Sequence, residues 1–195
     1  MPMVSAVFDP RTIELRDGTR LRIRPIVAED EPLLHEAVAS MSERTVYFRF
    51  FSPIKRMSDA MAHRLAVVDY HDRFAIVATS TRPSGKQSVG AGSASLTGLP
   101  RDRIVAVARY DRARDTDVAE VALAVIDEFQ RRGLGSVLLA ELARVARAQG
   151  ILSFQLIVLP ENREMLGLLR KMGWIHQAKL AGGVYEISFE LPELA

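Results

Sequence analysis

The sequence predicts an α/β fold, an α+β mixed sheet flanked by helices in a single domain. Three observations lead there. From Val118 to Leu159 a strand-like run, a helical stretch and a second strand-like run follow one another. Two strands joined through a helix are normally parallel, with a right-handed crossover. Ahead of that unit lie short segments in which apolar and polar residues alternate, the period of half-buried strands. Finally, 195 residues with 48% hydrophobic and 26% charged side chains suffice for one domain with a real core.

The elements follow in order. Thr12 to Leu15, Asp17-Gly18 and Arg20 to Ile26 read as strand, tight turn and strand, because Asp-Gly accepts the positive φ of a hairpin. Leu21 and Ile23 alternate with Arg22 and Arg24, and Pro25 ends or edges the strand. Glu29-Asp30-Glu31-Pro32 starts a helix that runs to about Met41: acids suit the positive end of the helix dipole, and proline is tolerated in the first turn. Ser42-Glu43-Arg44 opens an aromatic segment, TVYFRFFSP. Ser58 to Val68 reads as a helix with Met61, Leu65 and Val68 on one face. Phe74 to Thr79 is a strand, and Ser80 to Pro100, rich in Ser, Gly, Pro and Thr, is a long mobile loop with a weak strand near Val89 to Leu96. Ile104 to Tyr110 and Val118 to Ile126 are strands on either side of a polar turn. Arg131 to Gln149 is a helix stopped by Gly150, Leu152 to Leu159 a buried strand, Asn162 to Met172 a helix with Gly173 past its end, and Val184 to Leu191 the last strand. The domain spans 20–190, after an N-terminal segment (1–19) with a short strand and before a tail (191–195).

Composition excludes several chemistries. With no cysteine, there is no disulfide, no cysteine-ligated metal and no thiol nucleophile on which an acyl group could pause. His35, His63, His71 and His176 are isolated, without the spacing of a metal site, so no metal is expected. The 26 basic and 24 acidic residues are interspersed, which argues against a nucleic-acid partner. No apolar run approaches the roughly 18 residues of a membrane span, and MPMVSAVFDPRTIEL has no secretory pattern; the expectation is a cytoplasmic chain without a membrane partner.

The sharpest feature is EVALAVIDEFQRRGLGSVLLAELARVA. A strand enters the loop Gln130, Arg131, Arg132, Gly133, Leu134, Gly135, Ser136, and a helix begins near Ser136. A helix start offers unpartnered backbone N–H groups and positive partial charge, which together make an anion site. Gly133 and Gly135 allow close approach of a phosphate, and Arg131 and Arg132 add charge. The third glycine of the dinucleotide fingerprint and the Gly-Lys-Ser/Thr of nucleoside-triphosphate loops are both missing. An ordinary glycine-bearing turn remains the structural alternative.

Gln/Arg-x-x-Gly-x-Gly after Leu123-Ala124-Val125 resembles the acetyl-CoA loop of the GNAT N-acetyltransferase superfamily. NREMLGLLRKMGW, Asn162 to Trp174, resembles that family's asparagine-led helix ending in Gly-aromatic. The likeness covers roughly Arg20 to Phe189 and is strongest from Val118 to Trp174. It implies a GNAT fold and acetyl transfer to a primary amine by direct attack in a ternary complex. It also implies that the backbone of 131–136 holds the CoA pyrophosphate, that main-chain groups around Leu123, Ala124 and Val125 pair with the pantetheine arm, and that a strand N–H near Val125 stabilises the oxyanion. Asn162 is a cofactor contact, a helix N-cap, or both.

Glu120 is the candidate general base, because an ammonium must lose a proton before it can attack a thioester. Strand alternation places it with Val118, Ala122 and Ala124, whose small side chains leave room for substrate, and turns Leu123 and Val125 into the core. A solvated or arginine-paired glutamate is the alternative; Asp127 and Glu128 are weaker candidates. Two positions depart from the family. Leu169 stands where a thiolate-protonating tyrosine is common, and Asp127 stands where proline is common, a minor change. SERTVYFRFFSP and the run Ala119 to Ala122 resemble bacterial members that acetylate protein lysines. The acceptor is thus a protein lysine or a small-molecule amine, with a non-catalytic acyl-CoA sensor as the reading from another class, and the chain a monomer or homodimer.

Overall fold

The computed structural model describes residues 8–81, 102–175 and 177–193. Eight strands form one sheet in the order β1-β2-β3-β4-β5-β6-β8-β7. They are β1 (Arg11–Glu14), β2 (Arg20–Pro25), β3 (Arg73–Thr81), β4 (Asp102–Arg112), β5 (Val118–Val125), β6 (Ser153–Val158), β7 (Gln177–Ala181) and β8 (Val184–Glu190). The helices are α1 (Glu31–Ala39), α2 (Glu43–Phe50), α3 (Asp59–Ala66), α4 (Leu134–Ala148) and α5 (Arg163–Lys171). Every neighbouring pair is antiparallel except β5 and β6, which α4 joins and which run parallel, as a helical crossover requires.

Each face of the sheet has its own core. On one side α4 and α5 bury Leu138, Leu142, Val145, Leu166 and Leu169 against Ala108, Ala119, Val121 and Phe154. On the other, α1, α2 and α3 bury Leu34, Val46 and Ala62 against Ala75, Val77 and Ile104. An aromatic ladder crosses the first face: Phe74 to Tyr110 at 5.9 Å, Tyr110 to Phe154 at 6.2 Å, Phe154 to Phe189 at 6.0 Å and Phe189 to Trp174 at 4.6 Å between centroids. Tyr110 lies on β4 and Phe154 on β6, so their rings meet over β5, where Ala119, fully buried, is small enough to lie beneath them.

Several expectations need correction. The aromatic segment after Ser42 is helix α2, and the Ser42 side chain caps it by accepting the Thr45 N–H. Helix α4 begins at Leu134, not Arg131, because Arg131 and Gly133 take left-handed φ of 60° and 90° that no helix interior accepts. Ser80 and Thr81 belong to β3 rather than to a loop; 82–101 and His176 lie outside the described residues. Strand β6 is half-buried, not buried, since Gln155 and Ile157 face outward between Phe154, Leu156 and Val158. In α3 the fully buried residues are Ala62 and Ala66, with Met61, Leu65 and Val68 packed around them at partial exposure. The unforeseen strand β7 forms a hairpin with β8 around Gly182-Gly183, a dipeptide suited to a two-residue turn. Phe8, Leu15 and Leu191, near or beyond the expected domain edges, are buried in the core.

Candidate functional site

The site begins where β5 and β6 part. Their ladder holds only at Val118/Ser153, Ala119/Phe154 and Glu120/Gln155; beyond these the strands splay. Val121 to Val125 and Leu156 to Val158 then line a cavity of about 620 Å³, with α2 and α5 as its other walls and the start of α4 at one end. That volume suits a small-molecule ligand.

Main-chain alternation fixes which groups face this gap. Asp117 O accepts from Leu152 N at 2.7 Å, on the β6 side, whereas Ile126 N donates to Val105 O at 3.0 Å, on the β4 side. Backbone N–H and C=O of one strand residue point the same way and alternate along the strand. Leu123 and Val125 therefore turn their N–H and C=O into the gap, while Ala124 turns its own toward Val107 on β4. The Val125 carbonyl is already taken by the Gln130 side-chain amide at 2.9 Å, which leaves the Val125 N–H as the donor. Leu123 and Val125 pack on the core yet also line the cavity, so they are not turned wholly inward.

At the end of the cavity, Gly133 caps α4 and Val137 is the first residue to donate back into the helix, to Gly133 O at 3.2 Å. The earlier N–H groups of the first turn have no partner four residues back. Arg131, Gly133, Gly135 and Ser136 line the cavity. Gly135 is needed for packing as well: a Cβ there would lie 3.1 Å from Leu123 Cδ2 and 3.1 Å from Leu168 Cδ2. Leu134 is buried, 1% exposed, and its side chain belongs to the core. Arg132 pairs with Asp17 at 3.0 Å and stacks on Phe129, away from the cavity. Arg16, from the β1–β2 turn, lines it instead, a long-range approach that no local pattern announces.

Glu120 is exposed on the β5 face that also carries Ala122 and Ala124, and it lines the cavity. Across β4 its register partner is Asp111, whose carboxylate accepts from Arg109 Nε at 2.9 Å and Arg73 Nε at 2.9 Å. Burial would raise the Asp111 carboxyl, but these two guanidinium groups outweigh it and hold it below the usual range. Arg49 of α2 also lines the cavity. Burial and the charge of Arg109 push its guanidinium down to about 10, against the pull of Asp111 and Glu120, and it remains a cation at neutral pH. Sequence reading missed Arg49, because nothing local aims a helix residue at a strand some 70 positions away.

On α5, Asn162 caps the helix, its Oδ1 accepting the Met165 N–H at 3.0 Å while its amide N–H₂ remains a donor on the cavity wall. Leu168 faces the cavity, whereas Leu169 is 0% exposed in the core. Arg44 reaches across the mouth to Glu164 at 3.4 Å. Among the described residues no group of three or more His, Cys, Asp or Glu could hold a metal ion. His35, His63 and His71 each pair with a single carboxylate. No helix among the described residues is long and apolar enough to cross a membrane.

Comparison with known proteins points to one family. Residues 63–174 match the model of the Acetyltransferase (GNAT) family. Acetyltransferase PA5475 of Pseudomonas aeruginosa is 28% identical over 163 residues, covering 84% of this chain and 79% of that protein. Acetyltransferase Pat of Mycolicibacterium smegmatis is 28% identical over 177 residues, 89% of this chain but 47% of that protein, so the chain spans about half its length. The crystal structure of the GNAT domain of S. lividans PAT is 32% identical, with a TM-score of 0.77 over 93% of this chain and 97% of that one.

Proposed function

The chain belongs to the GNAT acetyltransferase family and is an N-acetyltransferase, and from that premise we propose how it works and on what. Acetyl-CoA is the donor, and a primary amine, here read as a protein lysine, attacks it directly in a ternary complex. The observation that carries this reading is the splayed gap. It presents the free edge of β5, at Leu123 and Val125, beside the unsatisfied first turn of α4, and Glu120 lies further down the same strand.

The roles follow from position. Backbone N–H groups of 131–136 receive the diphosphate at the positive end of α4. Leu123 pairs its main chain with the amides of the pantetheine arm as a neighbouring strand would. Glu120 takes the proton from the ammonium, and the freed nitrogen attacks the thioester carbon. The Val125 N–H donates to the resulting oxyanion. Collapse breaks the C–S bond, and the nitrogen gives up its second proton to solvent to complete the amide. The CoA thiolate leaves unaided or is protonated by water, since a thiol pKa near 8.5 makes it a good leaving group. Leu169 stays out of this step.

Support for a protein lysine comes from α2. The segment that resembles lysine-acetylating members forms the mouth of the cavity, where Phe51 is 42% exposed at the lining and Tyr47, one turn away, is 43% exposed. A blocked peptide with one internal lysine, spermidine and a free amino acid, each tested with acetyl-CoA for release of free CoA, decides the class. Turnover with the peptide supports a protein lysine, and turnover only with the small amines removes it. Acetyl-CoA binding by calorimetry without any CoA release would indicate a sensor.

A further inference from the structure

One wall of the cavity is α2, and one carboxylate ties it down. Asp127 sits in the turn between β5 and α4. Its Oδ2 accepts the Ser42 backbone N–H at 2.8 Å, and its Oδ1 accepts the hydroxyls of Ser42 at 2.6 Å and Thr45 at 2.9 Å. These partners lie 82 to 85 positions away in the chain. Thr45 Oγ1 also accepts from Gln130 Nε2 at 3.1 Å, and the same nitrogen donates to Val125 O at 2.9 Å. Ser42 Oγ in turn caps the Thr45 N–H at 3.2 Å.

A continuous run of hydrogen bonds thus joins the first turn of α2 to the Val125 peptide. The carboxylate also faces the positive end of the α2 dipole. Burial would raise the Asp127 carboxyl, but the bonds from Ser42 and Thr45 hold it below the usual range, so it is ionised at neutral pH. Two oxygens taking three donors need a carboxylate: an asparagine would turn an N–H₂ toward one of them, and a proline would offer no acceptor at all.

From this geometry we propose that Asp127 is a positioning residue for the acceptor amine. It locks α2 against the end of β5 and so sets where Phe48 and Arg49 stand relative to Glu120 and the acyl group. The proposal rests on the acetyltransferase reading of the cavity and goes beyond it by giving the loop a task on the acceptor side. Through the same clamp Gln130 serves α2, with its side chain committed to Thr45 and Val125.

The test uses the full chain with Asp127→Asn, Ser42→Ala and the double variant. Loss of charge-assisted bonds at one end of a short helix should speed amide hydrogen exchange over 43–50 by roughly tenfold to a hundredfold, with β5 and α4 unchanged. With the blocked lysine peptide as acceptor, KM for the peptide should rise about three- to tenfold while KM for acetyl-CoA stays within twofold. The double variant should fall short of the product of the singles, since both remove the same network. Wild-type exchange over 43–50 in Asp127→Asn would overturn the clamp. An equal rise in both KM values would overturn its acceptor-side role. If the peptide is no acceptor at all, the lysine reading fails; exchange still decides the clamp, and the KM split is then read with spermidine.

Discussion

Replacing Gly135 with Asp puts two separable burdens on the start of α4. The first is steric: the new Cβ lies 3.1 Å from Leu123 Cδ2 and 3.1 Å from Leu168 Cδ2, so both leucine ends must shift by a few tenths of an ångström. Both are ends of flexible side chains at the cavity wall, so the chain should still fold. A carboxylate in the first turn even favours the helix by about 0.3–1 kcal/mol. The second burden is electrostatic. A carboxylate about 5 Å from a diphosphate charge, at an effective dielectric of about 20 to 80, repels it by roughly 0.8–3.3 kcal/mol. That corresponds to an acetyl-CoA Kd raised roughly fourfold to two-hundredfold. Calorimetry on Gly135→Asp and Gly135→Asn separates the two, because Asn carries the bulk without the charge. The Asp–Asn gap should shrink in high salt, as an exposed charge pair is screened within about 10 Å at 0.1 M. Equal affinities for Asp, Asn and glycine, with thermal unfolding showing all three folded, would refute the placement of the diphosphate at this helix.

Three other outcomes are expected. Glu120→Gln should keep acetyl-CoA affinity and lower kcat at neutral pH by about 10²–10⁴ if the carboxylate takes the proton; unchanged kcat removes it from the mechanism. Leu169→Tyr should destabilise by about 1–3 kcal/mol in chemical denaturation rather than restore an acid, because Leu169 is 0% exposed among core side chains; stability at the wild-type level, with faster turnover, would contradict this. Asp111, held below its ordinary 3.8 in the folded chain, contributes stability that is present above that value and lost as pH falls through the lowered pKa. Asp111→Asn should therefore be less stable at neutral pH and show a flatter acid branch in pH-dependent thermal unfolding; an unchanged acid branch would rule Asp111 out as a contributor.

What could be read from the chain alone were the features written in neighbouring residues. Alternation in Leu21-Arg22-Ile23 announced β2, the strand–helix–strand order announced the parallel pair β5 and β6, and Gly150 and Gly173 marked helix ends. The glycine-bearing loop and Asn162 were visible for the same reason: a helix start and its cap are local events. The start of α4 was set too early at Arg131 because arginine is a good helix former, while the left-handed φ at Arg131 and Gly133 keeps these residues out of the helix. The tertiary structure alone decided how far β5 and β6 stay paired. Side chains distant in sequence set it: the rings of Tyr110 and Phe154 meet beside Ala119 where the strands pair, and residues of α2 and α5 wall the cavity where they part. It alone brought Arg16 and Arg49 to the cavity and turned Asp127 from a minor departure into the anchor of α2. Hydrogen bonds and charges act over a few ångströms of space whatever the separation in sequence, so contacts between Ser42 and Asp127 leave no periodic trace along the chain.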